Sequence, residues 1–142
     1  MKVCGVELKG NDAVICLISL SDGLYSIHEC RSKKLSISDA SDAEQLAKFQ
    51  FDFAKLMADY QVDQVVIRER MTKGKFAGGA VGFKLEAAIQ LSDLNVSLLS
   101  TQTVKETMKK SKINLNFKDT GLKQFQEQAF STALAYLEAP SQ

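Results

Sequence analysis

Between residues 2 and 30 the chain carries three runs of strand character separated by tight-turn signals, and after residue 41 helical and β-branched segments alternate. Few folds admit that order, because an antiparallel meander followed by strands that arrive through helices must build a mixed sheet with helices packed on it. The first run, KVCGVEL at 2–8, alternates small, apolar and polar residues, and DAVICLISL at 12–20 is a longer β-rich run. Lys9, Gly10 and Asn11 turn the chain between them. Ser21, Asp22 and Gly23 give a second hairpin signal before LYSIHEC at 24–30, where Leu24, Ser26 and His28 alternate with Tyr25, Ile27 and Glu29.

Ser41 and Glu44 have the spacing of a capping box, and Leu46, Phe49, Phe53, Leu56 and Tyr60 then recur at helical intervals. DQVVIRE at 63–69 is β-branched and too short for a helix; the helix before it makes it a crossover strand, parallel to the first. A loop, RMTKGKFAGG at 70–79, leads into a second amphipathic helix over 80–94, with Val81, Leu85, Ala88 and either Ile89 or Leu91 facing inward. NVSLLS at 95–100 adds another parallel strand. A short helix at 104–110 follows, and beyond a turn at Asp119, Thr120 and Gly121 a longer one carries Leu122, Phe125, Ala129, Ala133 and Leu137. The expected architecture is α/β: a five-stranded mixed sheet of order 3-2-1-4-5 with helices on both faces. Its 142 residues suit one domain spanning 1–142, without repeats or linkers.

Composition narrows the function classes. Apolar residues are 45% and charged residues 25%, so the chain has ample apolar residues for a core. Basic and acidic residues number 18 and 17, a net charge of +1, so attraction to nucleic acid must come from local clusters. Glu7 interrupts the N-terminal apolar stretch and no long apolar run follows, which argues against a signal or membrane span and for a cytoplasmic protein. Cys4, Cys16 and Cys30 are an odd number in apolar settings, as reduced buried thiols would be. His28 and Cys30 stand close together, but a single histidine without a Cys-x-x-Cys pair makes a poor zinc site.

Three meandering strands followed by helix, strand, helix, strand and helix is the element order of the RNase H-like superfamily. Five segments resemble the Holliday-junction resolvase RuvC in particular. GVELKGNDAVICLI at 5–18 is similar to its first hairpin, and VDQVVIRERM at 62–71 to its fourth strand and the following loop. GGAVGFKLEAAIQL at 78–91 resembles its central helix, STQTVKETMKK at 100–110 a later strand-to-helix segment, and EQAFSTALAYL at 127–137 the final active-site helix. The resemblance points to a bacterial family of RuvC-like domains and implies fold more firmly than activity.

RNase H-like nucleases gather carboxylates from the first strand, the fourth strand and the last helix around divalent cations, which need oxygen ligands. By resemblance Glu7 takes the first of these positions. Arg68 stands at the second with Glu69 beside it, and Gln128 at the third with Glu127 beside it. A divergent nuclease would therefore use Glu7, Glu69 and Glu127 to hold Mg²⁺ or Mn²⁺. The competing expectation is an internal ion pair between Glu7 and Arg68, requiring no metal. Asp12, Asp22, Glu86 and Asp119 remain as further acids without matching spacing.

Arg68, Arg70, Lys73, Lys75 and Lys84 cluster around the loop after the fourth strand, with Phe76 among them and glycines at 74, 78 and 79. Such a set grips a phosphate backbone by ion pairing and stacks a base on the ring, or else forms a solvated loop with Phe76 on the core. Lys105, Lys109, Lys110 and Lys112 lie near a helix end, where positive charge complements the dipole. The leading expectation is a RuvC-like domain associated with nucleic acid, either a binding relative with a degraded acidic site or a metal-dependent nuclease. The alternative is a small-molecule or protein-interaction module that keeps only the scaffold. Half of an actin-like nucleotide-binding fold would share the meander, but this sequence lacks a second copy and the glycine-rich phosphate turn that such a fold requires after Glu7. A homodimer is implied by the resemblance alone.

Overall fold

A computed structural model describes residues 1–111 and 115–139. The meander forms as expected: β1 (Lys2–Lys9), β2 (Asp12–Ser21) and β3 (Leu24–His28) pair antiparallel in sequence order. A three-residue strand, β4 (Lys34–Ser36), escaped the sequence reading. β3 covers only the second half of β2, from Leu17 onward, and β4 pairs with the free first half at Asp12, Ala13 and Val14. Three residues carry too little periodicity to be read as a strand; a vacant ladder edge defines this one.

Helix α1 (Ala43–Asp59) crosses to β5 (Gln64–Arg68), which pairs parallel to β1, and α2 (Ala80–Gln90) crosses to β6 (Val96–Leu99), parallel to β5. The sheet order is therefore β3-β2-β1-β5-β6, with β1 at its centre. The remaining helices are α3 (Thr101–Lys110) and α4 (Glu127–Glu138), with single 3-10 turns at Phe117–Asp119 and Gln124–Gln126.

Several boundaries differ from expectation for local reasons. Asp42, not Ser41, caps α1 by accepting from the Glu44 amide, while the Ser41 hydroxyl donates to Asp39. Helix α2 stops at Gln90, so Ile89 is buried and Leu91 lies 80% exposed. Ser100 caps α3 three residues earlier than the periodicity suggested. Helix α4 starts at Glu127, leaving Leu122 and Phe125 before it; Phe125 is exposed with Lys34 over its ring.

Strand alternation sends β1 side chains to two cores. Cys4, Val6 and Leu8 join Phe53, Leu56, Leu85 and Ile89 under α1 and α2, whereas Val3 joins Val66, Ala129 and Ala133 under α4. Gly5 faces α4, and a side chain there would collide with the backbone of Ala129. The three cysteines are free; Cys4 and Cys16 are buried, and burial pushes the Cys16 thiol up to about 12. His28 shares a hydrogen bond with the Ser19 hydroxyl at 2.7 Å. Among the described residues no helix is long and apolar enough to cross a membrane.

Candidate nucleic-acid interface

The parallel pairing of Val6 with Ile67 brings the ends of β1 and β5 together, and the next residues, Glu7 and Arg68, lie on the α4 side of the sheet by alternation. A charged residue closing a buried strand must find acceptors or reach solvent. Arg68 is only 7% exposed and finds acceptors on two helices. Its Nε donates to Thr132 Oγ1 at 2.9 Å, Nη1 to Gln128 Oε1 at 2.8 Å and to Thr101 Oγ1 at 3.5 Å, and Nη2 to the Gln128 carbonyl at 3.4 Å. Thr132 also donates to the Gln128 carbonyl at 2.7 Å, which fixes the hydroxyl so that its lone pair faces Nε.

The expected Glu7–Arg68 ion pair does not form. Within 4.0 Å the ion pairs among the described residues are Arg31–Asp59, Lys34–Asp12, Lys48–Asp52 and Lys55–Asp59. Arg68 instead turns its fork toward α4, where neutral acceptors satisfy it. Burial lowers the pKa of its guanidinium from the ordinary arginine value, and the field of Glu7 opposes that shift without contact. Removing the Glu7 charge therefore strands no partner. Glu7→Gln is expected to change stability by less than about 1 kcal/mol in thermal or urea unfolding, as for charges not in direct contact; a loss of several kcal/mol would show a direct bond.

Arg68 lines a cleft of about 1170 Å³ whose walls are the ends of β1 and β5, the loop through residues 69–76, the start of α3 and the side of α4. Its charged lining is Arg68, Arg70, Lys73 and Lys105 against Glu7 and Glu69. Arg70 is anchored by donating from Nη1 to the Leu8 carbonyl at 2.7 Å. Phe76 stands 76% exposed on the loop, Met71 is exposed nearby, and Lys75 sits 5.8 Å from the Phe76 ring centroid. Gly74, at φ +99°, turns this loop in a conformation that side chains disfavour. The loop closes through a bond from the Gly78 amide to the Met71 carbonyl at 2.8 Å.

The anticipated site residues thus separate. Glu7, Arg68, Glu69, Arg70, Lys73 and Phe76 share the cleft. Glu127 lies in a different depression with Asn116, Lys118 and Asp119, and accepts from Gln124 Nε2 at 2.7 Å. Lys84 points to the segment before α1, donating to the Ala40 carbonyl at 3.1 Å, and Lys112 is outside the described residues. Sequence reasoning missed Thr101 and Thr132 as partners of Arg68, and assigned Lys105 to the helix dipole. The available signal was the i, i+4 spacing of Gln128 and Thr132, which puts two acceptors on one face of α4.

Glu86, on α2, leaves Oε1 buried without a hydrogen-bond partner, and its carboxyl is held above the ordinary value of 4.5, first by burial and then by the charge of Glu69. The folded state therefore binds this proton more tightly than the unfolded state. Stability from Glu86 is greatest in acid and declines as pH rises from the ordinary value through the raised one. Glu86→Gln is expected to raise Tm at neutral pH and to have little effect where both states are protonated. An unchanged neutral-pH Tm would count against the burial described.

The donor set does not suit the Mg²⁺ or Mn²⁺ that the resemblance implies for a catalytic relative. The guanidinium of Arg68 lines the same cleft as Glu7 and Glu69, Gln128 Oε1 is already engaged by it, and Glu127 is elsewhere. Among the described residues no three His, Cys, Asp or Glu side chains lie together as a metal group.

A central first strand, antiparallel on one side and parallel on the other, with α4 packed over it, is an RNase H-like arrangement of strands and helices. Solved structures share it. Thermus thermophilus RuvC superimposes with a TM-score of 0.73 at 10% identity, covering 97% of this chain and 94% of that one. The T. thermophilus RuvC complex with a Holliday junction substrate gives 0.69 at 12% identity, covering 97% and 93%. The fowlpox virus resolvase with Holliday junction DNA gives 0.51 at 13% identity, covering 97% of each chain. At these identities the likeness is one of fold. By sequence, residues 1–136 match the family described as protein of unknown function DUF3010, and the chain belongs to that family. No curated protein matches it in sequence.

Proposed function

We propose that this chain is a nucleic-acid-binding relative of the RuvC-type resolvases that engages its ligand through the Arg68 cleft without cutting it. The observation that carries the reading is the cleft itself: four cationic side chains against two carboxylates, with Phe76 exposed at the loop. Cations in that arrangement neutralise backbone phosphates, and an exposed ring offers a stacking face to an unpaired base. The fold likeness to resolvases solved with Holliday junction DNA supports nucleic acid over other polyanions. Arg68 in place of an acid supports binding over cleavage, because a guanidinium bonded to Gln128 and Thr132 puts positive charge where a metal would need oxygen ligands.

Fluorescence anisotropy with a labelled four-way DNA junction, a duplex and a single strand, at two salt concentrations, tests the reading. Lys73 and Lys105 stand on the loop and α3 walls of the cleft. Changing both to Glu is expected to weaken binding by about tenfold or more and to flatten the salt dependence, while Tm stays nearly constant. No binding by the parent at low salt would transfer the weight to a protein-interaction module. Cleavage of any of these substrates with Mg²⁺ or Mn²⁺ would overturn the non-catalytic half.

A further inference from the structure

The acceptors around Arg68 come from separate elements, yet all are neutral. Gln128 and Thr132 contribute from α4 and Thr101 from α3, and together they meet Nε, Nη1 and Nη2 of one buried side chain. Neutral acceptors satisfy a guanidinium's N–H groups but leave its charge in place. A fully buried arginine is ordinarily compensated by a carboxylate at hydrogen-bond distance, and here Glu7 acts only through its field. The residual charge faces the cleft, which Arg68 lines together with Lys73, Lys105 and the Ser100–Thr101 start of α3. That is the design of an anion subsite: a fork preorganised by neutral acceptors on Nε, Nη1 and Nη2 and without a carboxylate in hydrogen-bond contact.

We propose that Arg68 is a protein-borne replacement for a divalent cation, a fixed guanidinium that takes a backbone phosphate of the bound nucleic acid directly, so that binding is independent of divalent metal. The inference rests on the nucleic-acid reading above and adds the group that Arg68 meets. Gln128 tunes the subsite. As an amide it orients the fork and leaves the charge available, whereas a carboxylate at the same position would neutralise it from inside.

Gln128→Glu makes the test, because it keeps side-chain length and puts a carboxylate oxygen where the amide oxygen now lies 2.8 Å from Nη1. The probes are the labelled junction and single strand, titrated in EDTA and in Mg²⁺, with Gln124→Glu, in the other depression, as the control for one added negative charge. The parent is expected to bind in EDTA at least as tightly as in Mg²⁺. Gln128→Glu should lose about tenfold in affinity, the scale of one charge-assisted hydrogen bond, with an unchanged or raised Tm. Gln124→Glu should lose much less. Binding that requires Mg²⁺, or tightens in Gln128→Glu when Mg²⁺ is added, would overturn the role of Arg68 while leaving the domain a nucleic-acid binder. Equal losses in the two variants would overturn it as well, reducing the effect to net charge. No binding of any probe by the parent at low salt would overturn both readings.

Discussion

Gly5→Ala is expected to destabilise the fold by about 3 kcal/mol or more and, under the proposed function, to weaken nucleic-acid binding as well. A Cβ built at Gly5 falls 2.0 Å from the Ala129 carbonyl oxygen and 2.9 Å from Ala133 Cβ, so α4 must lift away from β1 to admit one methyl group. Backbone has no rotamer with which to yield, and overpacking against it costs more than against a flexible side chain. The same helix supplies Gln128 and Thr132 to Arg68, so the lift also loosens the fork. The urea midpoint, read beside probe affinity, checks both effects; an unmoved midpoint would show that α4 does not seat on β1 as described.

Arg68→Glu is the other large effect, an expected loss of about 3–5 kcal/mol measured by denaturant unfolding with a chelator present. The new carboxylate would face the Gln128 oxygens that now accept from Arg68, in a cleft that already carries Glu7 and Glu69. The companion variant Arg68→Met separates charge from packing. Arg68→Met keeps the reach but takes the donors from Gln128 Oε1 and Thr132, so it should cost about 1–3 kcal/mol, less than a buried carboxylate does. Equal losses would mean that volume rather than charge decides at this position, and a negligible loss in Arg68→Glu would mean that the side chain escapes to solvent.

The strands were legible where a period was long enough to read. β1, β2, β3 and β5 announced themselves through alternation or β-branching, and α1 through Phe49, Phe53 and Leu56 on one face. The central place of β1 followed from connection rules, since a meander and a crossover meeting on one strand leave it little else. β4 was illegible because its cause is the unpaired half of β2, far away in sequence. Helix α4 began later than its apolar spacing suggested, because Leu122 and Phe125 fit a helical period that the 3-10 turn at Gln124–Gln126 interrupts.

The site divided along the same line. Sequence alone determined that an arginine stands near the end of the strand read at 63–69 and that a glutamine stands on the last helix, two positions where the resemblance implied acids. It also determined the basic, glycine-bearing loop and its Phe76, because those are properties of residue type and order. Whether Arg68 would pair with Glu7, and whether Glu127 would join Glu7 and Glu69, was decided by tertiary structure alone. Seating α4 against Gly5 sets the rotation of that helix, which turns Gln128 and Thr132 toward Arg68 and carries Glu127 around to another depression. One residue along a helix is about 100° of rotation, so packing at a single glycine selects which of two adjacent side chains reaches the cleft.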